Sequence, residues 1–178
     1  MSRTVFSPER FAFTRRAHLA AQRQLYPLMY PHGVRFRDVT KTARDLDYAI
    51  DCELDVTIPE LRGPVRIGVQ ERFRTPEHLH YGDISITEWN LATDQPSELH
   101  KLGAHMFVYG FYDEPHDRVV LAVAFDVGLV QWALAHDALD YDRRRRGDQS
   151  FIVIKFTELS DLGAVLYVHD RRNGEAVA

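Results

Sequence analysis

A single cysteine, Cys52, is all the sequence contains, so the chain cannot close an intramolecular disulfide or build a thiolate zinc site alone. No stretch approaches the roughly 18 consecutive apolar residues that a membrane span requires, and the N-terminus lacks the apolar run of a secretory signal. A soluble protein of the reducing cytoplasm, with no membrane partner, is the expectation. Internal repeats and low-complexity tracts are missing, as are the Gly-rich loops that cradle nucleotide phosphates. Neither Cys52 nor Ser97 sits in a context that marks an activated nucleophile, which disfavours acyl transfer. Positive charge is not in excess: 22 Lys and Arg against 26 Asp and Glu leave a net charge of -4. A basic surface over the whole chain is thereby excluded, because phosphate affinity comes from clustered cations that displace counterions.

What is present suits one compact domain over residues 1–178 with frayed ends: 178 residues, 45% hydrophobic and 27% charged, can bury a core without staples. Cations occur in clusters. Arg143, Arg144, Arg145 and Arg146 are consecutive, Arg66, Arg72 and Arg74 recur at even positions of one segment, and Arg15-Arg16 lie near the N-terminus. The unbroken arginine run reads as a solvated loop.

Ser7-Pro8-Glu9 has the form of a helix start, an N-cap followed by proline, and the helix runs to about Leu25 before Pro27 and Pro31. From Tyr48 to Ile58 apolar and polar residues alternate, which predicts a half-buried strand with Asp47, Asp51, Glu53 and Asp55 on an acidic face. After the turn at 59–64 a second strand carries Val65, Ile67, Val69, Glu71 and Phe73 on one face and Arg66, Gly68, Gln70, Arg72 and Arg74 on the other. The two strands read as a hairpin. A third strand is expected over Asp83–Trp89, a polar loop over Asn90–Pro96, a short helix from Ser97 to Lys101, and buried strands over Met106–Tyr112 and Val119–Val127. A helix over Gly128–Leu139, a strand over Phe151–Phe156, a one-turn helix at Glu158–Leu162 and a last strand near Ala164–His169 complete an α/β (α+β) fold, a mixed central sheet flanked by helices.

Metal-dependent phosphodiester hydrolysis needs carboxylates to hold the ion and a cation near the phosphate, on elements rigid enough to fix their spacing. Two neighbouring strands carrying Asp51 or Asp55 and Gln70-Glu71-Arg72 supply these. In this region, about Tyr48 to Trp89, the sequence resembles the PD-(D/E)XK nuclease superfamily, which places an acidic residue on one strand of a hairpin and an acid-x-lysine triplet on the next. The resemblance implies a restriction-endonuclease-like fold, with Asp51 as the motif aspartate and Asp55 its rival. It puts Gln70 at the acid position and Arg72 at the lysine position. Gln70 keeps an oxygen donor but removes a charge, and Arg72 is a cation that does not surrender a proton near neutral pH. Glu71 is the neighbouring carboxylate.

The expected function is therefore hydrolysis of DNA by an endonuclease or resolvase-like enzyme using Mg2+ or Mn2+. Asp51, Gln70, Glu71 and Arg72 are its catalytic candidates, with Asp51, Asp55, Gln70 and Glu71 as metal ligands. Arg66, Arg74, Lys101 and Arg143 to Arg146 are candidate nucleic-acid contacts, and a homodimer is compatible with the pattern. Two other readings stand beside it: a catalytically inactive nucleic-acid-binding or assembly module with the same fold, and an αβ domain with no nucleic-acid role, in which the arginines simply pair with the aspartates across the hairpin. His78-x-His80 with Asp83 is a weaker zinc candidate lacking a fourth ligand. Glu88 and the Glu98/Lys101 pair could extend the nuclease site, although Glu98 and Lys101 also have the spacing of a helix-surface ion pair.

Overall fold

The computed structural model describes residues 8–172. Helix α1 (Pro8–Gln24) starts on proline with Glu9 in its first turn, where a missing N–H is harmless and a carboxylate meets the positive end of the helix. The cap expected at Ser7 lies outside the described residues. Ala17, Ala20 and Ala21 are the buried positions of α1, and their small side chains let it lie close to a sheet. One further turn, α2 (Tyr26–Met29), follows. Strand β1 (Val34–Asp38) comes next, and hydropathy does not announce it because its pattern is short and strongly charged.

The alternating stretch Tyr48–Ile58 is not one strand. Ala43–Tyr48 form helix α3, capped by the Thr42 side chain, which accepts from the Arg44 N–H, and ended by Ala49 in the left-handed region at φ 48°. Only β2 (Cys52–Val56) is extended, so Asp47 sits on a helix. A local cap and stop override a period-two pattern at Tyr48 and Ile50. The expected hairpin does form: β3 (Val65–Arg74) runs antiparallel to β2 with Cys52 opposite Val69 and Asp55 opposite Arg66.

A 3-10 helix (Pro76–Tyr81) leads to β4 (Asp83–Asn90), β5 (Gln95–Pro96) and α4 (Glu98–Lys101). Then come β6 (Met106–Asp113), β7 (Arg118–Asp126), α5 (Val127–Ala135), β8 (Asp142–Arg146), β9 (Gln149–Lys155), α6 (Phe156–Asp161) and β10 (Val165–Asp170). The central sheet has the order β1-β2-β3-β6-β7-β10 and is mixed, because β3 pairs parallel with β6 and every other neighbour is antiparallel. This is the expected α/β class.

Two further assignments change. β4 and β9 do not extend the central sheet but belong to a second, antiparallel one, β5-β4-β9-β8. Arg143–Arg146 are not a loop: they lie in β8, with Arg146 opposite Gln149 and Arg143 opposite Ile152. The reason is the turn. Gly147, at φ 57°, supplies the positive dihedral of a two-residue hairpin connection, and the pairing it sets up overrides the charge of the run. A strand of exposed arginines is also a good sheet edge, since charge discourages another strand from adding there.

The central sheet is the middle layer. On one face Ala17, Ala20, Ala21 and Tyr26 pack against Cys52, Leu54, Val69, Met106 and Val108. On the other, Phe107, Tyr109, Phe111 and Phe125 pack against Ile84, Ile86, Ile152 and Ile154 of the second sheet and Val130 and Ala133 of α5. β6 is buried on both faces, which is why it reads as a continuous apolar run. Gly110 within it admits the Phe73 ring: a Cβ there would stand 2.4 Å from Phe73 Cε1. No helix among the described residues is long and apolar enough to cross a membrane.

Candidate functional site

β2 ends its pairing at Cys52, opposite Val69, whereas β3 continues to Arg74. The edge of β3 at Gln70–Arg72 therefore has no backbone partner from β2. Asp51 fills that role with its side chain. Its N–H donates to the Val69 carbonyl at 2.9 Å, and its Oδ2 accepts from the Glu71 N–H at 2.8 Å.

Strand alternation then divides the triplet between two faces. Glu71 points toward α1, where its carboxylate is fully enclosed and accepts from the Tyr26 hydroxyl and from His18 Nδ1. Burial holds the His18 pKa below its ordinary value, and because a carboxylate only accepts, Nδ1 carries the donating proton. Burial likewise pushes the Tyr26 phenol well above its usual range, so it remains a donor. This is the partner a buried carboxylate requires. The Glu71 side chain is not brought to Gln70.

Gln70 and Arg72 point to the opposite face and converge on Glu98 of α4. Gln70 Nε2 donates to Glu98 Oε1 at 3.0 Å, and the Arg72 guanidinium pairs with Glu98 Oε2. Arg72 also donates to the Ser85 carbonyl at 2.8 Å and to Thr87 Oγ1 at 3.3 Å. The Thr87 N–H donates to Glu98 Oε2 at 3.2 Å. Since Glu98 can only accept, the amide nitrogen of Gln70 must face it, which turns Oε1 away. That oxygen is buried and has no hydrogen-bond partner.

Asp51 belongs electrostatically to the same neighbourhood. Its pKa is pushed up to about 8, first by burial and then by the carboxylates of Asp45 and Glu98, with the Arg72 guanidinium pulling the other way and Asp38 adding a further push. It also lines a cavity of about 440 Å³ beneath α1, together with His18, Asp38 and Asp45.

The remaining candidates lie elsewhere. Asp55 faces Arg66, which donates to it at 2.8 Å, and Arg37 stands 3.7 Å away; the hydrogen bond from Arg66 holds its carboxyl below the ordinary range. Asp55 is thus spent on the cross-strand pair, four residues along the chain from Asp51. Arg143 forms a forked pair with Glu88 at 2.7 and 2.8 Å, and Arg144 pairs with Asp142 at 2.9 Å. Arg145 and Arg146 are exposed on β8, and Lys101 is exposed at the end of α4. Glu98 turns inward instead of pairing with Lys101. His78 and His80 lie in the 3-10 helix rather than on a strand, beside the Tyr81 ring. Among the described residues no group of three or more His, Cys, Asp or Glu is placed to hold a metal ion, so the zinc site is not formed.

Glu98 is the residue whose role the sequence understated. Its spacing to Lys101 matches a surface ion pair, and its inward aim depends on β4 and α4 folding back over β3. A polar, uncharged glutamine in the middle of a central strand was the available signal, since its amide needs a polar partner there.

No family model and no curated protein matches the chain. Among solved structures, a nuclease from a fusselovirus is similar with a TM-score of 0.36 and 10% sequence identity, covering 90% of this chain and 93% of that chain.

Proposed function

We propose that the chain is a metal-dependent phosphodiester hydrolase acting on DNA, with its site at the free edge of β3. The observation that carries this reading is the buried, unpartnered Gln70 Oε1. A buried acceptor left without a donor is uncommon and calls for a partner, and Mg2+ and Mn2+ take oxygen ligands, amide carbonyls among them. The candidate donors, with glutamine counted alongside the carboxylates, are Asp51, which borders the cavity beneath α1, and Gln70 and Glu98 on the other face; a shared ion requires the Gln70 amide to turn its oxygen toward Glu98. Asp51 and Glu98 supply charge, Gln70 supplies the neutral oxygen, and Glu98 replaces the carboxylate that Gln70 lacks. The Glu71 side chain, committed to His18 and Tyr26, is a positioning group: it fixes the strand whose N–H holds Asp51.

A cation held by Asp51, Gln70 and Glu98 would supply polarisation of the scissile phosphate and acidification of the attacking water. Arg72, held in place by Ser85, Thr87 and Glu98, presents a permanent cation to the phosphate and stabilises charge that grows on its oxygens. Asp51, with a pKa of about 8, is largely protonated at neutral pH without metal. Cation binding must displace that proton, so affinity rises with pH.

Incubation of supercoiled plasmid with Mg2+ or Mn2+ tests the reading: nicking should appear, stop with a chelator and be lost in Asp51→Asn and Glu98→Gln. Absence of cleavage of plasmid, branched or single-stranded DNA with either ion would sink it. One observation favours the non-cleaving alternative, namely that Arg72 and Gln70 are both engaged by Glu98. Salt-sensitive DNA retention without cleavage would select it.

A further inference from the structure

The two sheets meet along a polar cleft of about 490 Å³, lined by Arg10, Arg72, Arg74, Arg146, Gln149 and Phe151 together with the hydroxyl residues Ser85 and Thr87. No carboxylate is among its lining residues, which is unusual in a chain whose acids outnumber its bases. Alternation on β3 sets Arg72 and Arg74 on one face, about 6.6 Å apart along the strand. Arg74 is oriented by Ser85 Oγ at 2.9 Å and by the Tyr109 hydroxyl at 3.3 Å, with no acid within ion-pair distance among the described residues. Across the second sheet, Arg146 stands opposite Gln149, Arg144 opposite Phe151, and Phe151 in turn opposite Thr87. A continuous strip therefore runs from Arg72 and Arg74 past an aromatic ring to the exposed arginine edge.

We propose that this cleft binds a single strand of nucleic acid, with phosphates on Arg74 and Arg146 and a base against Phe151. Cations that track a backbone, with an aromatic ring between them, are the elements of single-strand recognition. A volume of this size admits a nucleotide or two but not a duplex, whose two strands and stacked pairs would need a far wider channel. The proposal rests on the preceding one in that Arg72 belongs to both sites, so the cleft would lead a strand to the hydrolytic edge of β3.

The test is fluorescence anisotropy of a labelled oligothymidylate and of a duplex of equal length, with the full chain in chelator, so that binding is read apart from cleavage. Wild type should prefer the single strand. Arg146→Gln should reduce the slope of log affinity against log salt by about 0.7, the share of one single-strand phosphate. Phe151→Leu should weaken binding by roughly fivefold to a hundredfold while leaving that slope unchanged. Arg118→Gln, on β7 and paired with Asp113 away from the cleft, should do neither. A single-strand affinity indifferent to both Arg146 and Phe151, or a preference for the duplex, would overturn the cleft assignment. Plasmid nicking that persists alongside that result would leave the hydrolase reading standing. Conversely, the expected binding pattern with no nicking under any metal would support the cleft and reject the hydrolase.

Discussion

The two faces of β3 solve the same problem in opposite ways. Toward α1, one carboxylate, Glu71, is enclosed and both of its partners are donors. Toward the second sheet, Glu98 is shared among Gln70, Arg72 and the Thr87 N–H, and the glutamine that touches it is left with a buried oxygen unmet. A satisfied buried network makes a fold rigid and specific, whereas a partly satisfied one costs stability and is kept where a ligand completes it. One residue along β3 thus separates a fully paired face from one that keeps an unmet acceptor.

Substitutions can break this contrast. Glu71→Ala leaves the Tyr26 hydroxyl and the His18 N–H buried without an acceptor, and should cost about 2–5 kcal/mol in urea unfolding. Gln70→Met, one residue away, removes an orphaned acceptor and should stay within about 1 kcal/mol of wild type while abolishing metal-dependent nicking. Equal losses at the two positions would erase the distinction. In activity, Asp51→Asn and Glu98→Gln should each lower nicking by on the order of a hundredfold or more, because even groups that merely orient metal ligands are worth 10–100-fold. A smaller effect at Glu98 than at the half-buried Asp55 would move the site down the hairpin.

The pH dependence sharpens the same comparison. Asp51 binds its proton more tightly in the folded chain, at about 8, than in the unfolded one. Between pH 4 and about 8 the native state therefore holds more protons, and stability falls as pH rises. Without metal, the loss from pH 5 to 9 should be about 1–3 kcal/mol, the cavity beside Asp51 giving solvent some access. Asp51→Asn, which still offers an acceptor to the Glu71 N–H, should flatten the curve, and Mg2+ should offset the loss in wild type. The smallest effect belongs to the exposed Arg143–Glu88 pair: Arg143→Gln should change stability by no more than about 1 kcal/mol, and salt should weaken the pair further.

Much of this was legible in the residues. Alternation over 65–74 assigned every side chain of β3 to its face, and the two apolar runs gave β6 and β7, because local period and burial agree there. Long-range placement was not legible. Nothing in Asp83–Asn90 says that this strand leaves the central sheet, nor that it carries Glu98 back over Gln70, since partner choice is decided by packing of Ile84 and Ile86 against β9 and the β6 aromatics. The arginine run misled for a different reason: charge content argued for a loop, and a single glycine at 147 outweighed it. At Tyr48 the pattern was right in period but a cap at Thr42 had already committed the backbone to helix.

The early stop of β2 gives the molecule a built-in spectroscopic reporter. Because a side chain, rather than a neighbouring carbonyl, receives the Glu71 amide proton, the nitrogen and proton resonances of that one amide should follow the ionisation of Asp51 and respond to any cation that replaces its proton. Its exchange with deuterated solvent registers the same event, so occupancy of the site can be observed from the backbone without a substrate.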